Sequence, residues 1–290
     1  MTAARIEVLK TYKLFINGQF PRAESGRVMS VRDSKGKLIA NAGKASRKDL
    51  REAVSAARTA FSGWMNKSGY NRGQILYRLA EMIATKKLQL AEELISQGFQ
   101  RTKALQNIEA AIDVLVYYSG WCDKYNQVVS TINPVAGVHN FSSAEPQGVV
   151  GIVAPKEGLL GMVAVLAPVI AGGNTAVLVC EYFPLTAITF AECIATSDMS
   201  AGVVNILTGE LKELHPHIAS HQEIQAVLFT GGDAATKKSM MSAASANVKR
   251  FNDWSRVRYL SPKLYHLTAF QEIKTTWHSV ESGITSGQKY

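Results

Sequence analysis

The chain has 290 residues, 47% of them apolar, and a formal charge of +9. That is enough chain for a large buried core in one or two domains, and its longest apolar stretches, such as 163–171, are too short and too broken by proline to cross a bilayer. The opening segment lacks the apolar core of a secretory signal, and three cysteines without CxxC spacing (Cys122, Cys180 and Cys193) make no disulfide framework, so a reducing, cytoplasmic location is expected.

Near the start, "YKLFINGQF" alternates apolar and polar residues around Asn17-Gly18, which predicts a two-residue hairpin. Ser46 with Asp49 three residues later reads as a helix-capping box. The apolar spacing of Leu50, Ala53, Val54, Ala57, Phe61 and Trp64 carries that helix onward. The same period predicts a long helix over 71–97 and a third over 102–125. Residues 126–146 are β-branched and punctuated by Pro134 and Gly137, which suggests an extended hairpin arm.

After Pro146 the rhythm changes. "GVVGIVAP", "TAVLV", "GVVNILTG" and "AVLFTGG" are apolar runs separated by helical segments. Apolar strands alternating with helices imply an α/β fold, a doubly wound, Rossmann-like parallel sheet covered on both faces. Ligands of such sheets sit at the carboxyl ends of the strands. The expected organisation is a domain over 1–250 that includes the N-terminal helices and the arm, followed by a divergent basic tail over 251–290. Residues 249–290 carry seven Lys/Arg against three Asp/Glu and no strand–helix rhythm. The tail is read as solvated surface, not as a nucleic-acid site, because no basic recognition motif accompanies it.

Taken together, "FINGQF", "EPQGVVGIVAP", "GGNTAVLV" with "PLTA" downstream, "GVVNILTG", "IASH" and "VLFTGG" resemble the cofactor domain of an aldehyde dehydrogenase over about 14–250. The segments "RDSKGKLIANAGKASRKDLREAV" and "LQLAEELISQGFQ" look most like the second module of the two-module, family-sixteen members. The resemblance implies oxidation of aldehydes through a cysteine thiolate, an oxyanion-binding asparagine, NAD or NADP, and a water-activating glutamate. It places candidate cofactor-binding residues at Pro155, Val179, Glu181, Gly209, Thr230, Gly231 and Gly232.

The departures from the pattern are specific. Where the family has Pro-Trp-Asn, this chain has Pro155-Lys156-Glu157, which puts a carboxylate where negative charge would develop. The family's ribose-binding lysine is replaced by Val179, and its nearby glutamate by Tyr182, with Glu181 one place earlier. Gly-Phe-Gly becomes Gly209-Glu210-Leu211, and "FTGS" ends in Gly232, without the serine hydroxyl aimed at the pyrophosphate. No Leu-Glu-Leu-Gly-Gly-Lys motif follows "NVKR"; Asp253 lies one residue off its register. No cysteine follows Cys193, so no catalytic residue is assigned and the catalytic domain is expected to be missing.

The expected function is therefore a non-catalytic or truncated family domain with a scaffold role and weakened or lost NAD(P) binding. The alternative is an NAD(P)-dependent oxidoreductase acting on aldehydes with catalytic residues from another module. Partners are expected as homo- or hetero-oligomers through the arm, whose edge would be unpaired and adhesive. Cys180 reads as a packing residue. His217 and His221 share a helix face but have no third ligand at metal spacing, so no metal is assigned, and Pro216 is expected to limit that helix at its start.

Overall fold

The computed structural model describes residues 10–33, 35–135 and 138–279. Strands β1 (Thr11–Tyr12), β2 (Val28–Arg32) and β3 (Leu38–Gly43) make a small sheet in the order β1-β3-β2. The Asn17-Gly18 turn forms as its chemistry predicts. Both residues have positive φ, +52° and +73°, and Ile16 and Gln19 exchange backbone hydrogen bonds of 3.0 and 2.9 Å across it.

Helix α1 (Arg47–Met65) starts on the Ser46/Asp49 box, with both reciprocal bonds present. The long helix expected over 71–97 is two helices, α2 (Gly69–Thr85) and α3 (Lys87–Ser96). They part at Lys86, whose side chain reaches Glu192 at 2.5 Å, a long-range partner that apolar spacing does not report. The third expected helix ends early. Helix α4 (Arg101–Ser119) stops at Gly120, and a short α5 (Tyr125–Val129) follows. Helices α2 and α4 pack so closely that a Cβ on Gly73 would lie 2.7 Å from the Ser119 carbonyl. Strands β4 (Thr131–Val135) and β5 (Val138–Pro146) pair antiparallel as the arm.

Then come β6 (Val149–Val153), α6 (Gly158–Ala171), β7 (Thr175–Cys180), α7 (Pro184–Ala195), β8 (Val204–Thr208), α8 (Leu211–Ser220), β9 (Ala226–Phe229) and α9 (Ala234–Ser245). Helix α8 begins at Leu211 with Pro216 inside it, so the proline does not set its start as expected. The remaining elements are β10 (Arg250–Asp253), α10 (Leu264–Thr268) and β11 (Gln271–Ser279). The main sheet is parallel throughout, in the order β10-β9-β6-β7-β8.

Every residue of β6, β7, β8 and β9 is buried, as expected of strands covered on both faces. Alternate side chains feed two cores. Val150, Ile152, Ala176, Leu178 and Leu228 join the core with α2, α4, α6 and α7. Val149, Val153, Val177, Val179 and Val227 join the other with α1, α8 and α9. Arg72 is buried, and its guanidinium donates to the carbonyls of Ala171, Met65 and Lys67. A cation is favoured there, at the carboxyl ends of α6 and α1.

The structure corrects the reading of the tail. Residues 250–279 are built into the domain. Strand β10 extends the main sheet, and Trp254 is 3% exposed with its backbone N–H on the Phe229 carbonyl at 2.8 Å. Asn174 donates to the Phe270 carbonyl at 3.0 Å, and Gln271 to the Gly172 carbonyl at 3.1 Å. The arm edge expected to be open is also covered, because β11 pairs with β5 from Gln271↔Pro146 to Ser279↔Val138. The physical reason is long-range. "RFND" and "QEIKTTWHS" bury little of their own, and each becomes a strand because an existing strand offers it a row of backbone partners.

Candidate functional site

Strand β6 lies at the point where the strand order reverses. The chain proceeds from it to β7 and β8 on one side, then returns to β9 and β10 on the other. Helices leaving β6 and β9 therefore diverge and open a crevice at the strands' carboxyl ends. A cavity of about 820 Å³ occupies it, walled by residues 153–157 after β6, by Glu181 and Tyr182 after β7, by the first turns of α8 and α9, and by Tyr259.

Six of the seven sequence-predicted residues line this crevice: Pro155, Val179, Glu181, Thr230, Gly231 and Gly232. Gly209 does not. A Cβ on it would face Leu214 at 3.1 Å, and its N–H donates to the Cys180 carbonyl at 3.2 Å, so it stands behind the wall. Pro155 is buried, and Val179, 1% exposed, offers an aliphatic surface. The Thr230 hydroxyl donates to the Val153 carbonyl at 2.8 Å and so ties β9 to β6. Gly231 and Gly232 are exposed ahead of α9, and nothing lies within 4 Å of a Cβ on Gly231.

On the β7 side, Phe183 takes a left-handed φ of +54°, unusual for a bulky residue. Its ring packs edge-on against Phe99 at 5.1 Å. The three-residue link ahead of α7 presents Glu181 to α8, where Oε1 accepts the Leu211 N–H at 3.3 Å. A carboxylate is favoured at that helix start. Beside it, the Lys156 ammonium lies 4.4 Å from the centre of the Tyr182 ring.

At the start of α9, Asp233 is the N-cap. Its carboxylate accepts the Thr236 N–H and hydroxyl, each at 2.8 Å, and the backbone bond foremost holds the acid below its ordinary range. The helix terminus suited to an anion thus already carries one negative charge. Neither its capping role nor its place on the crevice wall was read from the sequence.

The far end is built by a residue the sequence reading missed. Tyr259 is 7% exposed, and its hydroxyl donates to Glu157 Oε2 at 2.9 Å. Burial, then Glu157, pushes the phenol above its ordinary range. The Glu157 carbonyl accepts from Asn107 Nδ2 at 2.8 Å, which locks the turn into α6. Asp253 is committed to Lys237 and to Ser255, whose hydroxyl donates to it at 2.6 Å.

The three cysteines are buried. Burial pushes the thiols of Cys122 and Cys193 up to about 12 and raises that of Cys180, which is fully enclosed. A thiol so placed is a poor nucleophile. Among the described residues, no group of three or more His, Cys, Asp or Glu could hold a metal ion, and no helix is long and apolar enough to cross a membrane.

Tested against a dinucleotide, the residues fit unevenly. Glu181 suits a ribose diol, and the side-chain-free Gly231-Gly232 admits close approach of an anion. The carboxylates of Asp233 and Glu157 do not suit phosphate or a developing oxyanion.

The aldehyde dehydrogenase family model matches residues 20–252. Cytosolic 10-formyltetrahydrofolate dehydrogenase of Xenopus tropicalis is 37% identical over 248 residues, covering 82% of this chain and 28% of that protein. The mitochondrial 10-formyltetrahydrofolate dehydrogenase of Homo sapiens is 34% identical, with 84% and 28% covered. An aldehyde dehydrogenase from Bacillus cereus, solved as its NAD+ complex, superposes with a TM-score of 0.80 at 28% identity, over 84% of this chain and 50% of that one. The chain thus spans half the length of that structure and 28% of the two curated relatives.

Proposed function

The chain belongs to the aldehyde dehydrogenase family, and we propose that residues 10–279 form a nucleotide-binding and assembly module that does not itself oxidise aldehydes. One observation carries this reading: at the crevice end where acyl chemistry needs an oxyanion donor, Glu157 presents a carboxylate already held by Tyr259. A negative charge there opposes the charge that develops in the transition state. The buried, proton-retaining cysteines support the same reading.

Retained nucleotide affinity is supported by Glu181 and the Gly231-Gly232 backbone, and its weakness by Val179 and Asp233. NAD bound by the Bacillus cereus relative makes NAD or NADP the first ligands to test. Assembly is assigned to the arm sheet, whose Ile132, Ile273 and Trp277 are 72%, 59% and 59% exposed. A homo- or hetero-oligomer would cover them. Three unpaired cysteines favour an intracellular, reducing location.

A second reading follows from the chain's share of its relatives, 50% of the matched structure. In it, further residues of a longer protein, or a partner chain, supply the nucleophile and the crevice supplies NAD(P). The deciding experiment titrates NAD and NADP by calorimetry, then measures aldehyde-dependent NADH formation by the purified chain. Binding without turnover supports the module. Turnover by the chain alone refutes it, and turnover only with an added cysteine-bearing chain favours the second reading.

A further inference from the structure

The chain has six histidines, and four of them are engaged or shielded. The His215 ring meets the Leu211 carbonyl at 3.1 Å, and His221 Nδ1 accepts the Glu223 N–H at 3.2 Å. His221 also lies past the end of α8, in extended backbone with ψ of 122°, so it leaves the helix face that its four-residue spacing from His217 implied. The charge of Arg47 is felt at His217 and opposes a second cation there. His266 is 2% exposed, with its ring centre 4.8 Å from that of Trp254.

The other two meet on the arm. His139 on β5 and His278 on β11 stand directly opposite each other in the antiparallel register. Side chains so paired point to the same face of a sheet, with Cβ atoms about 4.5–5.5 Å apart. Both residues are exposed, and both rings flank Phe141, with centres 6.1 Å and 6.0 Å from its own. Lys274, four residues back on the same face of β11, is paired with Glu145 at 3.2 Å. An imidazole pair in this register is a bidentate chelate. One ion can sit about 2.0–2.1 Å from a nitrogen of each ring once the exposed rings turn from Phe141 about χ1. Imidazole nitrogen suits Zn2+, Cu2+ and Ni2+, whereas Mg2+ and Ca2+ take oxygen. Two protein ligands leave the remaining positions to water, so the site falls below a group of three or more metal-ligating residues.

We propose that His139 and His278 bind a transition-metal ion, Zn2+ foremost, and that the ion clips β11 to β5. One ligand comes from the arm and the other from the far end of the described chain. The ion therefore binds only the paired strands and stabilises the pairing that it needs. The strand it holds ends the segment that carries Tyr259 to the crevice wall.

Calorimetric titration of the full chain, purified without a polyhistidine tag, with ZnCl2 tests this. Saturable binding is expected. His139→Ala and His278→Ala should each lower affinity by at least about tenfold, the loss produced even by groups that only orient a ligand, while His217→Ala stays within about twofold. Both ligands are exposed, so circular dichroism should show every variant folded. With Zn2+ at about a hundredfold excess over its dissociation constant, the unfolding midpoint should rise by about 5–10 °C. Amide exchange over 271–279 should slow under the same conditions, and MgCl2 should have neither effect. No Zn2+ binding by the wild type, or full affinity retained in either single variant, overturns the site. Binding that leaves exchange over 271–279 unchanged overturns the clip.

Discussion

Replacing Trp254 by alanine tests whether residues 250–279 are part of the folded domain. The indole is 3% exposed, and its ring centre lies 4.8 Å from His266, 5.5 Å from Phe270 and 6.3 Å from Tyr259. Removing a buried tryptophan costs about 3–5 kcal/mol, part from lost transfer free energy and part from the cavity left behind. For a domain of this size about 1 kcal/mol moves the unfolding midpoint by roughly 2–4 °C, so a drop of about 6–20 °C is expected. The assay is thermal unfolding followed by circular dichroism, with urea unfolding as a second measure. Trp277→Ala is the control, since that indole is 59% exposed on the arm, and its loss should stay within about 1 kcal/mol. A Trp254→Ala loss under about 1 kcal/mol, the range of a surface change, would refute the docked tail and the Tyr259 wall built on it.

Arg72→Met should destabilise the domain by about 2–4 kcal/mol in urea unfolding, because the carbonyls of Ala171, Met65 and Lys67 lose their donor; a loss under about 1 kcal/mol would contradict that role. Native protein at neutral pH should resist thiol reagents at Cys122, Cys180 and Cys193 and react at all three once unfolded. A fast-reacting Cys180 would reopen its candidacy as a nucleophile. Burial holds Lys249 down at about 8 from 10.5 in the unfolded chain. Between those values the unfolded state binds the extra proton, so stability rises with pH through that window. Wild type should therefore gain on Lys249→Met between pH 8 and 10 in paired urea titrations, and a constant difference would argue against the shift.

Much of the fold was legible because its chemistry is local. The hairpin at Asn17-Gly18 needs two residues that tolerate positive φ, and the α1 cap needs Ser46 and Asp49 three apart. The strands β6, β7, β8 and β9 are apolar along their whole length because both of their faces are covered. Once they were read as parallel, the crevice had to lie at their carboxyl ends, and six of the seven expected residues do line it. Gly209 stands behind the wall because its N–H turns back to the Cys180 carbonyl, a bond the sequence does not report.

The sequence alone determined the doubly wound sheet, the family, and the presence of a carboxylate, Glu157, at the turn after β6. Only the tertiary structure decided what that carboxylate meets. Tyr259 and Glu157 are 102 positions apart, and no periodicity, cap or turn links them. They meet because β10 pairs with β9 and Trp254 packs beneath, carrying the following loop across the crevice mouth. Local propensity speaks for a residue and its neighbours along the chain, whereas a strand edge or a half-filled core recruits whichever distant segment can satisfy it.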